Sequence, residues 1–483
     1  MSSSPAAQGP LVVGVDTSTQ STKALVVDAA TGRVVASGQA PHRVSTGDAR
    51  ESDPQEWWDA LCAALRQCGT AAREASAVSV AGQQHGLVAL GADGTPVRPA
   101  LLWNDVRSAA QARELVERLG GPKAWAERVG SVPGPSFTVT KWAWLAEHEP
   151  AAVRATRAVR LPHDYLTERL TGCGTTDRGD VSGTGWWASA SETYDEEILG
   201  MVGLDPALLP RVARPGEVVG TVRGGDLPFS QGTLVAPGTG DNAAAALGLG
   251  LLPGTPVLSL GTSGTVYAVS EHRSTDATGT VAGFADARGA WLPLACTLNC
   301  TMAVDKVAAL LSLDREAVEP GGTATLLPYL DGERTPNLPH ASGILHGLRH
   351  DTTPGQLLQS AYDGAVHSLL DALDQVLDAD ADRSSPLLLI GGGSRGAAWQ
   401  HTVRRLSGRP VQVPEGKELV ALGAAAQAAG VLTGEDPAAI ARLWGTAEGP
   451  VLDPVERDEA KLARISEVLS DAAPLLVRAP HGE

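Results

Sequence analysis

Two segments of this chain share one design. Residues 12–27 read VVGVDTSTQSTKALVV and residues 257–270 read VLSLGTSGTVYAVS. Each is an apolar, β-branched run, then a short turn of Ser, Thr or Gly, then a returning apolar run, which is the signature of a β-hairpin. Finding the motif near the start of each half points to a duplicated domain. Strand-like runs alternate with helical ones throughout, so the class is α/β, with helices covering a sheet. One such helix is PQEWWDALCAALRQC, residues 54–68, opened by Asp53 as N-cap and Pro54 at the first helical position.

A chain of 483 residues exceeds what one core normally organises. The expected division is an N-terminal domain over residues 11–247 and a C-terminal domain over 248–483. The Gly/Pro-rich GLGLLPGTP, residues 248–256, serves as the hinge. The opening MSSSPAAQGP, residues 1–10, lacks a basic and an apolar region and reads as a disordered leader rather than a signal peptide. The tail EAKLARISEVLSDAAPLL has apolar residues at helical spacing and is expected to dock as a closing helix.

Lys and Arg number 38 against 55 Asp and Glu, a net charge of −17, which argues against nucleic-acid or anionic-membrane binding. No apolar run is long enough to span a bilayer. The five cysteines offer no paired spacing for zinc, and Cys296 and Cys300 of CTLNC are expected reduced. A soluble cytoplasmic protein fits, with self-association as a homodimer left open.

A Gly/Ser/Thr turn leaves backbone N–H groups free and adds hydroxyl donors, which suits phosphate oxygens. Asp16, ending the first strand, reads two ways. It is either an acid that caps the turn or one placed to hold Mg2+ through water. No sequence fits G-x-x-x-x-G-K-[ST], so a P-loop is not expected. A third turn, GGGSRG at 391–396, follows the strand PLLLI and opens a helix, with Glu415 after the next strand. That pattern also matches a dinucleotide fingerprint and keeps an NAD-dependent oxidoreductase as a distant rival. The turn lies too close to the C-terminus for a full doubly wound domain, which favours adenosine docking instead.

VAPGTGDNAAAALGLG, residues 235–250, runs from a strand into Gly238-Thr239-Gly240, then Asp241-Asn242, then a helix of small residues. Asp241 is thus expected at a helix N-terminus, beside glycines that let a ligand approach. An N-cap is the ordinary reading of such an aspartate. Placed at the domain junction, it suits a base that takes the proton of an attacking hydroxyl. SVAGQQHGLVAL places Gln83, Gln84 and His85 beyond a strand, and PALLWNDVRS places Trp103, Asn104, Asp105 and Arg107 beyond another. Donor–acceptor side chains beside an indole face fit a polyol.

The chain resembles the FGGY carbohydrate kinases, most closely the members that phosphorylate xylulose. SFTVTKWAWLAEH at 136–148 is similar to the family's first signature, and GILHGLRHDTTPGQLLQSAYDG at 343–364 to its second. PYLDGERTPN, LSLGTSG, GDNAAAALG and LIGGGSR also fall in the family's order.

The resemblance implies two ribonuclease-H-like domains of the actin-like/hexokinase-like ATPase superfamily with an interdomain cleft. It implies ATP and Mg2+ as cofactors, and conversion of D-xylulose to D-xylulose 5-phosphate. Ribulose, gluconate or glycerol are the alternative acceptors. It assigns Asp241 as catalytic base and Asp16 as the Mg2+-associated acid. Thr19, Gln20, Ser21 and Lys23 fall in the first phosphate loop, Gly261 and Thr262 in the second, and Gly391, Gly392 and Gly393 in the adenosine turn. Gln84, His85, Trp103, Asn104, Asp105 and Asn242 fall in the sugar pocket. The first loop, TSTQSTK, departs from the glycine-containing family form, so Gln20 is expected to replace a backbone contact with a side-chain one. Gln84 stands where many relatives have Met.

Overall fold

The computed structural model describes residues 9–45, 47, 49–224, 227–378 and 381–477. Residues 1–8 of the expected leader lie outside that set. Gly9 and Pro10 lie inside it and are tied to the following turn, Gly9 N–H donating to Asp28 Oδ2 at 3.2 Å and the Pro10 carbonyl accepting from Ala29 N–H at 2.9 Å.

The chain forms two compact units, and neither is a single stretch of sequence. Among the described residues, the first comprises those within 9–251, 271–292 and 416–447, and the second those within 252–270, 293–415 and 448–477. The chain therefore leaves the first unit at 251/252 and returns to it twice, which differs from a single cut after 247.

In the first unit the strands lie in the order 220–221, 234–235, Ala75–Gly82, Leu11–Thr17, Ser21–Asp28, Val34–Pro41. The last three form an antiparallel meander, and Ala75–Gly82 joins Leu11–Thr17 in parallel. In the second unit residues 293–297 of the strand Trp291–Thr297, with Gly264–Ala268 and Pro256–Leu260, form the antiparallel meander. Leu387–Ile390 then joins Pro256–Leu260 in parallel, and Val411–Gln412 follows in parallel. Both units thus share one topology, three antiparallel strands followed by two parallel ones. This is the ribonuclease-H-like arrangement, and both expected hairpins form its core.

Strand alternation decides which faces are covered. Val13, Val15 and Val26 point to one face of the first sheet, packing with Trp57, Leu61 and Leu65 of the helix Pro54–Gln67. That helix starts as expected, the Asp53 carboxylate accepting from Gln55 N–H. Val12, Leu25 and Val27 point to the other face, against Ala421, Ala425 and Ala428 of the helix Leu419–Thr433. This second helix is built from small residues because backbone must meet backbone. A β-carbon on Gly14 would lie 1.9 Å from the Ala421 carbonyl oxygen, and one on Gly423 would lie 1.8 Å from that of Ala244. Gly423→Ala is therefore expected to destabilise the fold by ~1–3 kcal/mol, the usual cost of overpacking, as read by denaturant titration. An unchanged midpoint would mean that the two helices can part without cost.

The parallel register fixes where side chains gather. Thr17 pairs with Gly82, and Gly240 also pairs with Gly82. Asp16, Gln83–His85 and Asp241 consequently leave the same carboxyl edge of one sheet, where ligands of open α/β sheets bind. In the second unit the tail forms the helix Glu459–Leu476, whose Ile465, Val468, Ala472 and Leu476 pack on Leu327 and Tyr329. No helix among the described residues is long and apolar enough to cross a membrane.

Candidate active site

Asp241 is the first residue of the helix Asp241–Gly248, and Gly240 is its N-cap. The aspartate is therefore not the cap, and its side chain is left for other work. The segment that delivers it is clamped by one side chain. Gln427 accepts from Gly238 N–H at 3.0 Å, donates to the Gly238 carbonyl at 3.1 Å, and accepts from the Ser79 hydroxyl at 2.5 Å. Gly238 adopts a left-handed φ of 78°, and a β-carbon there would lie 2.5 Å from the Val80 carbonyl oxygen. A β-carbon on Gly240 would lie 2.5 Å from Gln84 Cγ. These glycines thus admit neighbouring protein, not a ligand, which corrects the reading of them as an approach path.

Asp241 remains partly open at its surface, though protein encloses it closely. Its Oδ1 accepts from Asn242 N–H at 2.8 Å and from Asn242 Nδ2 at 3.1 Å. Asn242 Nδ2 also donates to Gln84 Oε1 at 2.5 Å. Burial, then the negative charges of Asp16 and Asp180, push the Asp241 carboxyl up to about 7. A carboxylate poised near neutrality is suited to accept a proton at physiological pH.

Asp16 is buried, its Oδ1 has no hydrogen-bond partner, and burial pushes it up to about 6 against the pull of Lys23. An orphaned carboxylate oxygen beside a second acid is a fitting place for a hard cation. Among the described residues no three His, Cys, Asp or Glu side chains gather as an ion site. A Mg2+ ion here would thus rely on Asp16, waters and substrate phosphates, its usual manner of binding.

The turn after Asp16 is closed by Ser18 N–H donating to the Ser21 carbonyl at 3.0 Å. Gln20 is exposed at its tip. Thr19 Oγ1 accepts from the Trp103 indole at 3.2 Å, and Ser21 Oγ accepts from Gln39 Nε2 at 3.1 Å. Lys23 pairs with Glu418 at 2.5 Å, so a phosphate must compete with that carboxylate for it.

Among the expected sugar residues, Trp103 stands 40% exposed, while the Asn104 Oδ1 is buried without a partner. Asp105 has a different job. Its carboxylate accepts from Arg50 N–H at 3.0 Å and from Arg107 Nε at 3.0 Å and Nη2 at 2.6 Å. Burial opposes its ionisation, yet these donors hold it below the usual carboxylate range. Asp105 therefore stiffens the 103–108 loop instead of facing a ligand. Lys141, buried in the first signature, assists by donating to the Asp105 and Pro135 carbonyls at 3.1 and 2.8 Å.

His85 is buried, its ring stacked on Phe137 at 5.7 Å and tilted on Phe284 at 5.0 Å. Behind it lie Asp180 and His163, which sequence reasoning passed over because TTDRGDVSG matches no pattern of catalytic spacing. Gln427 was also missed, although a lone amide within LVALGAAAQAAGVLT was a legible sign of a buried polar contact.

In the second unit Gly261 and Thr262 follow the strand Pro256–Leu260. The Gly261 carbonyl accepts from Thr301 N–H at 3.1 Å and from its hydroxyl at 2.8 Å. Gly391 ends the strand Leu387–Ile390 with φ 85°, where only glycine is unstrained, and Gly393 N–H donates to the Leu260 carbonyl at 2.9 Å. The two glycine turns are thus neighbours at one strand edge. None of the five cysteines forms a disulfide. Cys300 is buried, and burial pushes its thiol up to about 12.

The family model for the N-terminal domain of the FGGY family of carbohydrate kinases matches residues 11–248, and that for the C-terminal domain matches residues 257–431. The chain belongs to this family. As an FGGY carbohydrate kinase it transfers phosphate to an alcohol, and the oxidoreductase alternative at 391–396 falls away. This kinase chain is 81% identical over 474 residues to a xylulose kinase of Streptomyces coelicolor, covering 98% of each. It is 80% identical to a xylulose kinase of Streptomyces rubiginosus, again over 98% of each chain. A solved xylulose kinase from Bifidobacterium adolescentis superposes with a TM-score of 0.83 at 38% identity, over 95% of this chain and 99% of that one.

Proposed function

We propose that this kinase transfers the γ-phosphate of ATP to the terminal hydroxyl of D-xylulose, giving D-xylulose 5-phosphate. One observation carries the reaction. Asp241, held near neutrality, and the orphaned Asp16 leave the same edge of one sheet, giving a base for the hydroxyl and an anchor for a cation on the phosphates. The choice of sugar is supported by the xylulose kinases of the two Streptomyces species, 81% and 80% identical to this chain.

Phosphoryl transfer asks chiefly for positioning and charge stabilisation. Asn242 and Gln84 hold Asp241 toward the sugar, and His85, Asn104 and Trp103 offer hydrogen bonds and an apolar face to the remaining hydroxyls. Mg2+ at Asp16 would neutralise charge on the triphosphate as it transfers. Thr19, Gln20, Ser21 and Lys23, with Gly261, Thr262 and Gly391–Gly393, are the proposed nucleotide contacts.

A coupled ADP-release assay over ketoses, aldoses and polyols tests this reading. ADP release should require a sugar, and D-xylulose should give the highest kcat/KM. Release indifferent to sugar, or a higher value for ribulose or glycerol, would contradict it. Gln84 is the residue to vary for specificity. Gln84→Met removes the acceptor for Asn242 and is expected to lower kcat/KM for D-xylulose by roughly tenfold, about the worth of one buried hydrogen bond. An unchanged value in the same assay would remove Gln84 from the pocket.

A further inference from the structure

We infer that Asp180 is a positioning residue that fixes the orientation and tautomer of His85 for sugar binding, an inference that rests on the proposed place of His85 in the sugar pocket. His85 is held on every side but one. Its backbone is left-handed, with φ 62°, a conformation that a non-glycine residue keeps only when its surroundings impose it. Its N–H donates to Asp180 Oδ1 at 3.3 Å, and its carbonyl accepts from the Thr138 hydroxyl at 3.1 Å. Phe137 and Phe284 flank the ring. Gly183 closes over it so tightly that a β-carbon there would lie 1.6 Å from Cε1.

Within this cage the ring nitrogen Nδ1 makes no hydrogen bond among the described residues, and the atom it faces is Asp180 Oδ1 at 3.4 Å, close enough for the carboxylate charge to act on it. A carboxylate facing Nδ1 favours the proton on that nitrogen, which leaves Nε2 as the acceptor for a sugar hydroxyl. The second oxygen of Asp180 is engaged in turn, Oδ2 lying 2.9 Å from Nδ1 of the wholly buried His163. His163 Nε2 faces Asp164 at 3.2 Å and Asp177 at 3.6 Å. One buried carboxylate thus holds the His163 ring by a hydrogen bond and faces the His85 ring through its charge. Asp177 extends the network to the catalytic segment by accepting from the Thr239 hydroxyl at 2.7 Å.

The test is a double-mutant cycle on D-xylulose kinetics. Because the Asp180 charge also raises Asp241, the comparison is made at about pH 8.5, where that base is ionised in either protein. There Asp180→Asn is expected to raise KM for D-xylulose about tenfold with kcat and the KM for ATP changed by less than about threefold. His85→Ala should raise the same KM, and the double variant should match His85→Ala alone. Multiplicative effects, or an unchanged KM in Asp180→Asn, would overturn the inference. An unchanged KM in His85→Ala would instead overturn the sugar-pocket reading of His85. If Asp180→Asn alone fails to fold, pairing it with His163→Gln removes both charges, and the cycle is read in that background. In 15N-histidine spectra of the wild type, the signal lost in His85→Ala should show a protonated Nδ1. A protonated Nε2 with a bare Nδ1 would contradict the assignment.

Discussion

Asp241→Asn is expected to leave D-xylulose affinity within about threefold while kcat falls by ~10²–10⁴-fold, the usual worth of a positioned general base. Asparagine keeps the shape and the oxygen that accepts from Asn242 N–H, so the pocket should stay assembled and only the proton acceptor is lost. Calorimetric titration of the sugar, set beside steady-state ADP release, separates the two effects. The same substitution should stabilise the protein. The folded carboxyl sits at about 7 against an ordinary value of 3.8. The folded state therefore holds a proton that the unfolded chain releases, and stability drains away as pH rises between those values. Asparagine carries no such penalty, so the variant's gain in melting temperature should be absent near pH 4 and full by pH 8, by ~1–3 °C. A loss of stability at pH 8 would mean that the charge is compensated by something the described residues do not show.

Asp16→Asn is the second large effect. Its Oδ1 is buried without a partner, so the neutral amide removes the anchor for a cation and leaves the hairpin to Ser18 and Ser21. We expect kcat/KM for MgATP to fall by ~10²–10³-fold and the Mg2+ concentration for half-maximal rate to rise, as for loss of one carboxylate ligand. A second consequence separates this from simple damage. Asp16 is one of the charges that raise Asp241, so removing it makes Asp241 easier to ionise. The acid limb of the residual rate should therefore move to lower pH. An unshifted limb with unchanged Mg2+ dependence would place the cation elsewhere.

Much of this was legible in the sequence because the strongest signals are local. The two hairpins, the Asp53-Pro54 helix start and the closing helix each follow from a short window of apolar periodicity. Asp241 at a strand-to-helix step was visible for the same reason. What was not legible depends on pairs far apart in the chain. Gln427 meets Gly238, Asp180 meets His85, and the segments 271–292 and 416–447 return to the first unit, none of which a local pattern encodes. The glycines before Asp241 were misread for that reason, since the atoms filling their space come from Val80, His163 and Gln84. Asp105 looked like a ligand because an Asn-Asp pair after a strand is polar and exposed by default, yet Arg107, two residues on, takes up its carboxylate.

The most direct measurement is a phosphorus NMR time course of equimolar ATP and D-xylulose with the wild type and, separately, with Asp241→Asn at sugar saturation. In the wild type the γ-phosphate signal should vanish in step with one new phosphomonoester coupled to the terminal methylene protons of the ketose, while the variant stays silent over the same interval. Inorganic phosphate in place of that ester, or an equal rate from the variant, would mean that this carboxylate does not hand a sugar alcohol to the nucleotide.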